Sequence, residues 1–231
     1  MAKCKFLYLF FVALFYISCH EKPDVIQKTA PPKKNTIVSP KKKAKEIKKV
    51  VPNSKNATTF FTQYGKDNPE TVAIIQTDLG DIHLKLFRDT PLHRASFVYL
   101  VKEGYFDLTC FHRVVPDFII QGGNGDTEAV ANFKNKLRNY KIPPEFRKNH
   151  PHKRGALAAA REWEYNPDKV TTPFEFYIIL GVDDYGHLDG EHTVFGQVTK
   201  GMDVVDAISV VRASRDEWPM ENINMTIKLL E

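Results

Sequence analysis

Cysteine is scarce in this chain, with three in 231 residues, at positions 4, 19 and 110. Cys4 and Cys19 fall in or at the end of an apolar leader, so the globular part carries Cys110 alone and has no disulfide framework. Cys110 sits just before Phe111, where a small buried hydrophobe is expected rather than a reactive thiol. Acidic residues are missing from residues 1–19, and aromatic residues are missing from residues 20–56. The latter stretch holds five prolines and eleven lysines against three acids. It cannot bury enough apolar surface to offset chain entropy, so residues 20–56 are expected to form a disordered tether. A long apolar run is also lacking. Phe6 to Ile17 has the length of a signal-peptide core and falls short of a comfortable bilayer span. No pair of the eight histidines has metal-ligand spacing with nearby carboxylates, so no metal is expected.

The net charge of +5 hides a segregation: residues 20–56 carry +8, and residues 57–231 carry −5. The basic pI belongs to the tether and gives no reason to expect nucleic-acid binding by the globular part. Lys3 and Lys5 precede the apolar run, which ends in Ser18-Cys19. This resembles the cleavage site of bacterial lipoproteins, where the cysteine is lipidated and starts the mature chain. Tyr16 and Ile17 depart from its strict form, which prefers Leu and a small residue. The expectation is a signal over residues 1–19, lipid on Cys19, and a protein anchored in the cell envelope, facing the periplasm or extracytoplasmic side. An ordinary cleaved signal with an incidental cysteine is the alternative. The tether lysines would draw it to anionic lipid or serve as a solubilising spacer.

Residues 57–231 read as one globular domain. Phe60-Phe61 and Tyr64 suggest a short opening helix. Strands are expected at Val72 to Gln76, Asp81 to Phe87, Gly155 to Ala159, Phe176 to Leu180, Thr193 to Val198 and Met225 to Leu230. Helices are expected at Leu92 to Glu103, with Gly104 as its C-cap, and at Met202 to Ile208. Asn124 to Lys153 is polar and reads as long loops with one short strand near Pro144 to Arg147. The most informative stretch is Phe111 to Gly123, FHRVVPDFIIQGG, an apolar run split by Pro116-Asp117 that holds one cation, Arg113. An arginine set among Val, Phe and Ile costs several kcal/mol unless paired, so a partner is required. Many short strands with two helices point to a closed, mostly antiparallel barrel.

Three blocks occur in order: GDIHLKLFRDTPLHRASF (Gly80–Phe97), FHRVVPDFIIQGG (Phe111–Gly123) and HLDGEHTVFGQV (His187–Val198). Together they resemble the signature blocks of the cyclophilin-type peptidyl-prolyl isomerases, over roughly Val72 to Leu230. The resemblance implies a mainly β fold, an eight-stranded antiparallel barrel capped by two α-helices, with the active site on its outer face. It implies Arg113 as the catalytic hydrogen-bond donor and Gln121 as the residue that orients it and touches the substrate backbone. Phe118, Ile119, Tyr177, Leu188 and His192 match positions lining the proline pocket, and Ala160 one that contacts the residue before proline. His112 reads as structural. The implied partners are proline-containing polypeptides, met by a monomer without cofactor.

The departures are local. Phe174-Glu175-Phe176-Tyr177 stands where many members have Ser-Gln-Phe-Phe. Glu175, counted with the substrate-binding positions, is therefore expected to form an ion pair with Arg113. Arg161 stands where many eukaryotic members have Asn, and His187 where the cyclosporin-sensitive ones have Trp. The reading is an isomerase that assists folding of exported proteins. The alternative is a low-turnover proline-peptide-binding chaperone or adaptor of the envelope. A third, resting on composition alone, is a structural lipoprotein using its tether.

Overall fold

Apolar residues at every second position build the sheet. In β1 (Val72–Thr77) and β2 (Gly80–Leu86) the fully buried side chains are Ala73, Ile75, Ile82, Leu84 and Leu86, and the two strands pair antiparallel. The computed structural model of the chain describes residues 50–137, 140–182 and 185–230. The leader, Cys19 and the tether as far as residue 49 lie outside the described residues.

The other strands are β3 (Cys110–Val115), β4 (Ile119–Asn124), β5 (Ala156–Ala159), β6 (Phe176–Ile179), β7 (Val194–Lys200), β8 (Ile223–Asn224) and β9 (Thr226–Leu230). Among the described residues they make one nine-stranded antiparallel sheet in the order β8-β3-β4-β6-β5-β7-β2-β1-β9. β8 and β9 stand at opposite ends of that order, yet only Met225 separates them in the chain. The sheet therefore curls until both ends share one stretch of backbone, giving a nearly closed barrel. Counted as one interrupted strand, this stretch restores the eight expected. The interruption is Met225, whose side chain is buried and whose N–H donates to the Thr109 carbonyl at 3.3 Å.

Four helices are present among the described residues where the resemblance implied two: α1 (Ala57–Asp67), α2 (Pro91–Lys102), α3 (Glu128–Lys136) and α4 (Met202–Ser209). α2 begins with proline at its first turn and ends where Gly104 adopts φ +73°, as a left-handed C-cap requires. α1 lays Phe60, Phe61 and Tyr64 edge-on around Tyr99 of α2, with ring centroids 5.3–5.8 Å apart. Arg94 of α2 donates to the carbonyls of Gly65, Asn68 and Glu70, closing the C-terminal end of α1. α3 corrects the expectation of loops over Asn124 to Lys153. Thr127 caps it by accepting from the Val130 N–H at 3.3 Å, but Val130 is its one buried residue, so its periodic apolar signal is faint.

Pro144 to Arg147 forms no strand, a second correction to that stretch. Glu145 caps α2 instead, accepting from the backbone N–H of Leu92 (3.1 Å) and His93 (2.9 Å) and from His93 Nδ1 (2.6 Å). Both side chains are buried. Glu145→Ala leaves two helix-terminal N–H groups and a buried imidazole without their acceptor, and is expected to cost about 3–5 kcal/mol. Urea unfolding of the variant beside the parent measures this. A loss under about 1 kcal/mol would show that water replaces the carboxylate at no cost.

Candidate active site

Phe111 and Val114 both pack into the inner core although they stand three residues apart, which strict strand alternation forbids. The register explains it. Phe111 pairs with Gly122 while Arg113 pairs with Gln121, so His112 is an extra residue, a β-bulge in β3. The bulge reverses the inside–outside parity and turns Arg113 to the outer face of the barrel. A matching irregularity on β4 places Gly123 at φ +91°, where a Cβ would lie 2.1 Å from the Phe174 carbonyl oxygen. Only glycine fits there.

A row then runs across the sheet: Arg113 on β3 pairs with Gln121 on β4, Gln121 with Tyr177 on β6, Tyr177 with Ala158 on β5, and Ala158 with Val194 on β7. Ile119, Ala158, Ala160, Tyr177, Leu188 and Val194 form a second apolar cluster on this outer face, with Phe118 packed against it. Phe118 follows the turn at Asp117, which adopts φ +60° and ties its carbonyl to the Tyr185 hydroxyl at 2.6 Å. Leu188 ends a short 3₁₀ turn (Gly186–Leu188), and His192 follows in the next loop, tied back by its N–H on the Leu188 carbonyl at 3.1 Å.

These elements enclose a cleft of about 380 Å³ lined by Arg113, Phe118, Ile119, Gln121, Ala160, Tyr177, Leu188 and His192, with Arg161, Trp163 and His187 at the same cleft. Of the expected site residues the fold brings all but Glu175 to it. Glu175 lies behind Gln121, accepting from its Nε2 at 3.0 Å, with His112 Nε2 at 3.5 Å and Lys134 Nζ at 3.6 Å. Burial acts to raise its pKa, but His112, Lys134 and Gln121 outweigh burial and hold the carboxyl below its ordinary value. The expected Glu175–Arg113 ion pair is not made, because Gln121 on the intervening strand takes the carboxylate.

Arg113 pairs instead with Glu217, Nε to Oε2 at 2.5 Å. Glu217 sits at φ +63° in the loop after α4, where its carbonyl also accepts the Val114 N–H at 2.8 Å. Neither Nη of Arg113 nor Oε1 of Gln121 has a hydrogen bond among the described residues, which leaves both groups able to meet a ligand. Tyr177 is tied from behind: its hydroxyl lies 3.1 Å from His152 Nε2, and His152 Nδ1 lies 2.7 Å from Asp189 Oδ1. With Nδ1–H donating to the carboxylate, Nε2 accepts the phenol proton. The polar edge of the pocket is thus satisfied internally. Among the described residues no three His, Cys, Asp or Glu side chains converge as metal ligands.

Residues 72–228 match the family described as cyclophilin type peptidyl-prolyl cis-trans isomerase/CLD. The chain belongs to this family. A peptidyl-prolyl cis-trans isomerase of Acinetobacter baylyi is 36% identical over 148 residues, 62% of this chain and 74% of that protein. One of Schizosaccharomyces pombe is 33% identical over 153 residues, covering 65% and 93%. The fold is that of a cyclophilin of Cryptosporidium parvum crystallised in the presence of the dipeptide Ala-Pro, with TM-score 0.58 and 22% identity over 69% of this chain and 99% of that one. This cyclophilin is accordingly a peptidyl-prolyl isomerase. Glu217, His152 and Trp163 escaped the sequence reading, since two of them act across distant segments and carry no periodic signal. Trp163, an aromatic in a polar loop, was the one visible hint.

Burial lowers the His192 pKa to about 4, with Arg161 and His152 adding to the effect and the Ala159 carbonyl opposing it. Burial also lowers that of His152 against the pull of Asp189. Both imidazoles resist protonation in the folded protein, whereas the unfolded chain takes up protons near pH 6.5. Stability is therefore complete above that pH and is lost as pH falls towards 4. Between pH 7 and 4.5 the His192 share of the loss is expected to be about 2 kcal/mol. Urea unfolding of the parent and His192→Asn across this window isolates it: parallel stability curves would contradict it.

Proposed function

We propose that this cyclophilin isomerises X–Pro bonds of exported polypeptides, with Arg113 as the hydrogen-bond donor and Gln121 as the backbone contact. The observation that carries the reading is the row Arg113–Gln121–Tyr177 along a cleft whose remaining walls include Phe118, Ile119, Ala160 and Leu188. Rotation about an X–Pro amide faces a barrier of about 18–20 kcal/mol because the nitrogen lone pair is delocalised into the carbonyl. As the amide twists, the nitrogen regains an acceptor lone pair. A guanidinium held by its Nε, with Nη groups free, can donate to that nitrogen in the twisted state more strongly than in the planar one. Gln121 Oε1 can accept a substrate N–H while the apolar pocket holds the ring. A ten-thousandfold acceleration needs roughly 5–6 kcal/mol, within reach of one charged donor plus orientation. No bond breaks, so the reaction calls for no cofactor.

The low-turnover binding reading has one observation in its favour: Glu217 partly neutralises the donor. A proline-peptide isomerisation assay on the purified full chain decides between them. Arg113→Ala is expected to lower kcat/KM at least a hundredfold with little change in unfolding midpoint, because an exposed ion pair contributes at most about 1 kcal/mol. A parent that binds proline peptides without accelerating their isomerisation would establish the binding module instead.

The place of action rests on the leader, on Cys19 and on the lysine-rich tether. X–Pro isomerisation is slow wherever chains fold, the envelope included. Cys19→Ser is expected to abolish incorporation of labelled palmitate and to move the protein from the membrane to the soluble fraction. Labelling that persists in the variant would rule out Cys19 as the anchor.

A further inference from the structure

The segment after Ala160 puts an indole on the cleft in a way ordinary surface aromatics are not held. The Arg161 side chain is only 3% exposed. Its Nε donates to the Glu191 carbonyl at 2.8 Å, its Nη2 pairs with Glu191 Oε2 at 2.7 Å, and its Nη1 donates to the Glu162 carbonyl at 3.2 Å. Glu191 is in turn fixed by Lys169 Nζ at 2.6 Å. The guanidinium is thereby immobilised against the loop that carries His192.

Trp163 lies on that guanidinium, 4.2 Å from Cζ to the ring centroid, and meets His192 edge-on with centroids 5.1 Å apart. It lines the cleft and is still 60% exposed. Tyr165, two residues on, is fully exposed and makes no ring contact among the described residues, as a solitary surface aromatic does. The two differ in ordering. Stacking on a cation and contact with His192 fix the Trp163 ring before any ligand arrives, so a partner packing on it pays little ordering entropy. A fixed aromatic surface beside a proline pocket favours a flat apolar side chain on a neighbouring residue.

We infer that Trp163, backed by Arg161, is a side-chain subsite that selects substrates with an aromatic residue flanking the proline. The inference rests on the isomerase reading and names the substrate class for that same cleft. His192 wall contact makes the flanking residue the one in reach, since His192 lines the cleft together with the apolar wall expected to hold the ring.

The test uses the full chain and three tetrapeptides, Ala-Ala-Pro-Ala, Ala-Phe-Pro-Ala and Ala-Ala-Pro-Phe, with isomerisation followed by NMR exchange and binding by tryptophan emission. The parent is expected to favour one phenylalanine peptide over the alanine peptide by about fivefold to tenfold in kcat/KM, the range of one aromatic contact. In Trp163→Ala that ratio is expected to fall below twofold, in Trp163→Phe to be largely kept, and in Tyr165→Ala to equal the parent's. The phenylalanine peptide is expected to shift the emission of the parent and not that of Trp163→Ala. A parent that does not discriminate, or a preference that survives Trp163→Ala, overturns the subsite while leaving the isomerase reading intact. A parent inactive on all three peptides overturns the isomerase reading, and the emission shift then judges the subsite alone: present, it stands as a binding site; absent, it falls too.

Discussion

A single extra residue in one strand governs the chemistry of this barrel. The bulge at His112 reverses the parity of β3, so Phe111 and Val114 both fill the core while Arg113 faces out. Without it the guanidinium would point into the apolar core, at a cost of several kcal/mol unless paired there. The bulge is itself secured. His112 is buried, close to the Glu175 carboxylate and 5.5 Å from the Trp218 ring, and Gly123 supplies the compensating irregularity on the paired strand. Arg113, Gln121 and Tyr177 fall into one row because three neighbouring strands inherit the register so set.

The polar groups around the cleft are divided between those that hold and those left free. Glu175 holds Gln121, Glu217 holds Arg113, and Asp189 holds Tyr177 through His152. These ties are not equal in energy. The Arg113–Glu217 pair is about 40% exposed on each side, 38% and 41%, and contributes at most about 1 kcal/mol. The left-handed backbone of Glu217 costs about as much. The pair thus adds little to stability, and its effect is geometric: it fixes Nε and leaves both Nη groups for another acceptor. The buried Glu145–His93 pair works the other way, fixing a helix end with two side chains that are themselves almost wholly withdrawn from solvent.

The extent to which the sequence disclosed this arrangement follows from the range of each interaction. Arg113, Gln121, Phe118 and Ile119 lie within nine residues, so one local motif carried them together. The strands with clean alternation and the helix ended by Gly104 were legible for the same reason. Glu217 reaches Arg113 across 104 residues, and Glu145 reaches His93 across 52. Neither leaves a trace in periodicity or spacing. Glu175 was expected on Arg113 because the two seemed neighbours in the site, but strand order interposes β4, and the nearer amide of Gln121 wins the carboxylate. α3 was missed because a helix with one buried side chain has almost no apolar stripe to read.

The closure of the barrel also orders events in time. β1 is the first strand made and pairs with β9, the last, in a register from Val72–Leu230 to Gln76–Thr226. While the chain emerges in sequence, β1 and β2 can form a hairpin, but the outer edge of β1 stays unpaired until β9 arrives. For that interval an apolar strand edge is open to any other chain. The barrel thus folds as a late, largely all-at-once event dominated by distant contacts, a topology that makes folding slow. The barrel depends for its own completion on β9, the strand farthest in sequence from the edge that it covers.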